Sequence, residues 1–130
     1  MSDSEKRFAR WLTATGAAYA VGAADFLVRP HASTRSLSLA GGDPLADESP
    51  GLYHSLACAY MATIAALSLT AAREPGDRRE LIPPLVVAKA VSSATLMYRF
   101  RQTGKRGFLV GSILDAVLLG VTAGFYSSLD

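Results

Sequence analysis

The sequence has little of what site chemistry is usually built from. It contains one cysteine, Cys58, and two histidines, His31 and His54. A single cysteine excludes an internal disulfide, a CxxC redox pair and a cysteine-held metal cluster. In an apolar run Cys58 counts as a small hydrophobe. There is no spaced GxGxxG and no phosphate loop; Gly41-Gly42-Asp43-Pro44 is turn chemistry. No basic stripe interleaved with aromatics and no metal-finger spacing is present, so no nucleic-acid partner is implied. No nucleophile, base and orienting group stand at a readable spacing. The sequence therefore assigns no catalytic residue, no metal ligand and no cofactor.

Charge is the next scarcity. Charged residues make up 18% of the chain and hydrophobic ones 50%. The mean hydropathy of +0.24 is modest, but the average conceals clustering. Arg, Lys, Asp and Glu crowd into the N-terminal tail and three connecting segments. Between them lie four runs of Ala, Gly, Ser, Thr and Leu, at about 8–28, 50–72, 81–99 and 107–128. A soluble bundle would need helices with charged outer faces, and these runs have almost none. A bilayer core takes roughly 20 residues of helix to cross. The expected fold is therefore all-α, one domain of four transmembrane helices. The first run lacks the compact apolar block and cleavage site of a signal peptide, so it is expected to remain as a helix.

Each run carries its own punctuation. In the first, Arg10 can reach the interface, Trp11 suits an interfacial belt, and Gly16, Ala20 and Gly22 permit close approach. Asp25 and Arg29 stand four apart, as a local neutralising pair does, and Pro30 closes the helix. Residues 31–48 form the longest connection, with Leu37 and Leu39 as membrane anchors. The second run, the longest without charge, reads as the surest span. Its Pro50 suits a helix start, and His54 sits one turn in, first of all as an interfacial hydrogen-bonder. Pro83 and Pro84 fall in the first turn of the third run, where missing donors cost little. The fourth holds Gly107xxxGly111 on one side and Gly120xxxGly124 on roughly the opposite one. The second glycine pair suits a homo-oligomer contact.

The third and fourth runs each contain one charge, Lys89 and Asp115. Lys89 lies nine residues before Tyr98, and Asp115 eight after Gly107. At the α-helical rise both are about 12–14 Å from their shared loop, Arg99–Arg106. In an antiparallel hairpin they stand level. A lone charge at that depth costs about 2.5–3.5 kcal/mol on insertion scales, and pairing offsets much of it. Lys89 shares a helical face with Ser92 and Ser93; Asp115 shares one with Gly111 and Thr122. Asp25, His54, Lys89 and Asp115 all fall in one half of the membrane. They predict a one-sided intramembrane polar site, with Ser92 and Ser93, rather than a through-pore. Direct contact of Lys89 and Asp115 in a closed core would mark a structural pair. Separation across a cavity would mark a binding site.

Orientation rests on a tie. The tail and second connection hold six Lys and Arg, and the first and third connections hold six. The acidic 31–48 connection favours an external position, with both termini cytoplasmic; a tie also admits dual topology. The glycine-rich first helix running into Asp25-Phe26-Leu27-Val28-Arg29-Pro30, the Ala59-Tyr60-Met61 step and the Lys89-Ala90-Val91-Ser92-Ser93 segment resemble the DoxX-like group of small bacterial four-helix membrane proteins. That resemblance implies a fold in the bacterial inner membrane more than an activity, some members being linked to quinone-dependent sulfur oxidation and some acting as accessory membrane subunits. Three functions follow. A non-catalytic accessory or scaffold subunit, contacting lipids and a membrane protein partner, stands first. A proton- or ion-coupled transport component would use Asp115 as its protonatable site. A membrane enzyme on a lipophilic or quinone-like substrate would use His54, Lys89 and Asp115.

Overall fold

The structure is a computed structural model and describes residues 1–29, 39–42 and 52–129, with side chains of the second helix described from residue 57. Among these residues it is all-helical. Helix α1 spans Asp3–Val28, α2 Leu52–Ala71, α3 Ile82–Thr103 and α4 Arg106–Ser127. A 3₁₀ turn, Arg79–Leu81, leads into α3. Three helical segments, Asp3–Val28, Arg79–Thr103 and Arg106–Ser127, are long and apolar enough to cross a membrane. Helix α2, the run expected to be the surest span, is 20 residues long, and the part of it with described side chains, Ala57–Ala71, is apolar. Residues 43–51, which include Pro50, lie outside the described residues.

Helix ends follow local chemistry. α1 starts five residues before its apolar run because Ser2 and Glu5 close a capping box: the Glu5 N–H donates to Ser2 Oγ at 3.2 Å and the Glu5 carboxylate accepts from the Ser2 N–H. Pro83 and Pro84 occupy the first turn of α3. The linker expected at Arg99–Arg106 is much shorter. α3 continues through Thr103, where Gln102 Nε2 donates to Tyr98 Oη at 2.8 Å and Thr103 Oγ1 to the Arg99 carbonyl at 2.8 Å. Nothing in 99–103 breaks a helix; Gly104, at φ 69°, does. Two residues then turn the chain into α4.

Packing is pairwise. α1 lies along α2, and α3 along α4; thinner seams join α1 to α4 and α2 to α3. Gly16 makes the first pair close, since a Cβ there would stand 2.7 Å from Leu69 Cγ and 3.1 Å from Ser68 Cβ. The apolar core gathers at one end: Phe8, Leu12, Ile64, Ala71, Ile82, Leu85 and Leu129. Phe8 stacks on Phe125 with centroids 5.6 Å apart, and Glu5 lies against Gly76 of the α2–α3 turn. At the opposite end, residues 39–41 form a helical turn in which Gly41 abuts the backbone of Arg106 and Gly107.

The distribution of polarity is inverted. Ser68, Lys89, Ser112, Asp115 and Thr122 are buried, while Val21, Val28, Val87, Val91, Ile113, Leu114 and Val117 are each more than half exposed. Water-soluble folds place such residues the other way round.

Candidate functional site

Lys89 and Asp115 meet. Lys89 Nζ lies 3.2 Å from Asp115 Oδ1, with the side chains 4% and 13% exposed. Both stand on inward faces set by helical spacing: Ile82, Leu85 and Lys89 on α3, and Gly107, Gly111, Asp115 and Thr122 on α4. Gly111, one turn from Asp115, is buried on the same face. The ammonium does not run up to the interface.

Three further side chains complete the cluster. Ser92, nearly one turn past Lys89, donates its hydroxyl to Asp115 Oδ2. Tyr19 on α1 donates its hydroxyl to Asp115 Oδ1 at 3.2 Å, and its ring lies under the ammonium, 3.6 Å from Nζ to centroid. One tyrosine thus serves both charges, its edge toward the anion and its face toward the cation. Tyr60 on α2 brings a second ring, 5.7 Å from Nζ, and donates its hydroxyl to the Ala88 carbonyl at 3.2 Å. Every helix therefore contributes: Tyr19, Tyr60, Lys89 with Ser92, and Asp115.

The other expected members go elsewhere. Ser93 faces α4 but bonds Ser112 instead: Ser93 Oγ donates to the Ser112 carbonyl and Ser112 Oγ to the Ser93 carbonyl, each at 2.8 Å. This reciprocal pair ties α3 to α4 one turn nearer their loop. Asp25 is held by Arg29, whose Nε donates to its Oδ1 at 2.8 Å and whose Nη2 also contacts it. The reason is depth. Tyr19 stands level with the Lys89–Asp115 pair, and Asp25 is six residues, about 9 Å, farther along α1. The His54 side chain lies outside the described residues. Of the four ionisable groups expected in one pocket, the structure joins two.

Tyr19 was not singled out from the sequence, and Tyr60 only within the Ala59-Tyr60-Met61 step, not as a site residue. The signal for Tyr19 is its spacing: Phe8, Leu12 and Gly16 are the buried positions of α1, and Tyr19 extends that stripe. On the same seam Trp11 Nε1 donates to Thr122 Oγ1 at 3.0 Å. Among the described residues no group of three or more His, Cys, Asp or Glu comes together. Chemically the cluster can hold a charge pair and share hydrogen bonds among four helices.

No family model, curated protein or solved structure matches the chain.

Proposed function

We propose that the chain is a multi-pass membrane protein of four spanning helices. In this reading it is a non-catalytic accessory or scaffold subunit, its bundle fastened by Lys89 and Asp115. The observation that carries the reading is the closed pair inside an inverted molecule. The charges are sealed by Tyr19, Tyr60 and Ser92, while valines and leucines face outward. A through-path or an open pocket would leave one partner accessible. Membrane lipids and a membrane protein partner then cover its outer faces. A second copy on the Gly120/Gly124 face of α4 is part of this proposal; both glycines look onto open space.

The test separates a fastener from a working group. Replacing one partner of a buried pair typically costs about 3–5 kcal/mol, whereas replacing both with apolar groups of similar volume is often neutral or stabilising. Lys89→Met and Asp115→Leu are each expected to lower the unfolding midpoint in detergent, and the double variant to recover it. Proton flux into vesicles containing the protein, followed with an internal pH dye, supplies the second arm. Flux abolished by Asp115→Asn in a variant of unchanged stability would overturn the reading in favour of transport.

A further inference from the structure

The outer side of α1 carries a groove of about 470 Å³, lined by Met1, Lys6, Ala9, Arg10, Thr13, Ala14 and Ala17. Its two halves differ in chemistry. The half nearest the chain start holds two cations, Lys6 and Arg10, and no acid lines it. Lys6 has Asp3 at 3.3 Å, an exposed pair of the kind that contributes little. Arg10 makes no hydrogen bond or ion pair with any described residue. The other half is a trough of Ala14 and Ala17. Thr13 also lines the groove, its hydroxyl donating to the Ala9 carbonyl at 2.8 Å.

On the membrane-spanning reading, on which this inference rests, Arg10 stands at the level of the headgroups. Trp11, beside it, is an interfacial residue type. Ala17 lies seven residues on, about 10 Å deeper along the helix. An amphiphile with an anionic head and an apolar tail matches that order. We infer that this groove is a binding site for an anionic phospholipid, with the phosphate on Arg10, Lys6 being already paired with Asp3, and the first part of an acyl chain against Ala14 and Ala17. A zwitterionic lipid presents the same tail but brings its own cation toward Arg10, so the site discriminates by headgroup. The apolar surface of α1 continues through Val21 and Val28, at 69% and 77% exposed, which gives the rest of the chain a path.

The chain carries its own reporter, its single tryptophan, Trp11. The full-length protein is reconstituted in phosphatidylcholine bilayers containing equal mole fractions of either brominated phosphatidylglycerol or brominated phosphatidylcholine. Quenching of Trp11 per mole of brominated lipid is compared. Brominated phosphatidylglycerol is expected to be favoured by about fivefold, the preference conferred by one interfacial cation. Arg10→Gln is expected to remove that preference. The double change Ala14→Leu with Ala17→Leu fills the trough on an outward face and is expected to reduce quenching by both lipids. Equal quenching by the two lipids in the unaltered protein overturns the site. So does a preference that survives Arg10→Gln, or a dimer that Ala14→Leu with Ala17→Leu dissociates, because a second copy then occupies the groove. Carbonate extraction of the membranes separates the two levels. Release of the protein would refute the spanning reading itself, while a retained protein without headgroup preference refutes only the lipid site.

Discussion

At the scale of single residues, Tyr19 has the most to lose. Its hydroxyl bonds Asp115 and its ring underlies Lys89, so two substitutions separate the roles. Tyr19→Phe keeps the ring and removes the hydrogen bond. Its expected cost is about 0.6–2 kcal/mol, bracketed by the average hydrogen bond measured between membrane helices and one made to a charge. Tyr19→Leu removes the ring as well and is expected to cost roughly 0.5–2 kcal/mol more. Unfolding in detergent, repeated on an Asp115→Leu background, checks the assignment: the cost of Tyr19→Phe should largely vanish there. The pairing of Lys89 with Asp115 was legible in the sequence because two antiparallel neighbours each carry one charge, of opposite sign; the level match was only approximate, since the loop at Gly104 and Lys105 stands fifteen residues from Lys89 and ten from Asp115. Tyr19 was not, because its partner is on a helix 96 residues away and nothing in a sequence states which helices are neighbours. Asp25 shows the converse. A depth argument grouped it with the pair, but the local pairing with Arg29, also read from their four-residue spacing, is the one the structure forms.

At the scale of elements, the glycines divide by what surrounds them. A Cβ on Gly16 would press into Leu69 and Ser68, so Gly16→Val must separate α1 from α2. Overpacking of this kind costs about 1–3 kcal/mol, to be read from the unfolding midpoint. Gly120 and Gly124 are the opposite case, with nothing within 4 Å of an added Cβ. In a monomer Gly120→Ala is expected to stabilise α4 by up to about 1 kcal/mol, the helix preference of alanine over glycine. In a dimer built on that face it would weaken association. Sedimentation of the variant against the unaltered protein distinguishes the two. Helix existence was readable from uncharged runs alone. Helix ends were readable only where a specific residue enforces them. The capping box of Ser2 and Glu5 and the left-handed Gly104 moved two boundaries by about a turn each, because a charged residue reads as loop although it continues a helix without strain.

At the scale of the whole molecule, the proposed four crossings would return the chain to the side from which it began. Phe8 and Leu129 share one core cluster, and Glu5 rests on Gly76. The start of α1, the α2–α3 turn and the end of α4 therefore lie at one end. With Cys58→Ser as background, Ser4→Cys, Asp77→Cys and Ser128→Cys are expected to react from the same side of sealed vesicles with a membrane-impermeant maleimide, and Gln102→Cys from the other. Reaction of Ser4→Cys and Ser128→Cys from opposite sides would mean that only three helices cross. The sequence left orientation undecided because its two sets of flanking cations are equal, and helix packing is indifferent to which side is cytoplasmic.

The charge pair also has a birth order. Lys89 precedes Asp115 by 26 residues, so on the proposed spanning reading the cation reaches the bilayer before its counterion does. Until α4 follows, an ammonium in α3 costs the membrane a few kcal/mol and has only the tyrosine rings of α1 and α2 for company. Synthesis of the last helix is what settles the third. On the spanning reading, a chain cut short before α4 would carry an unanswered charge in the lipid.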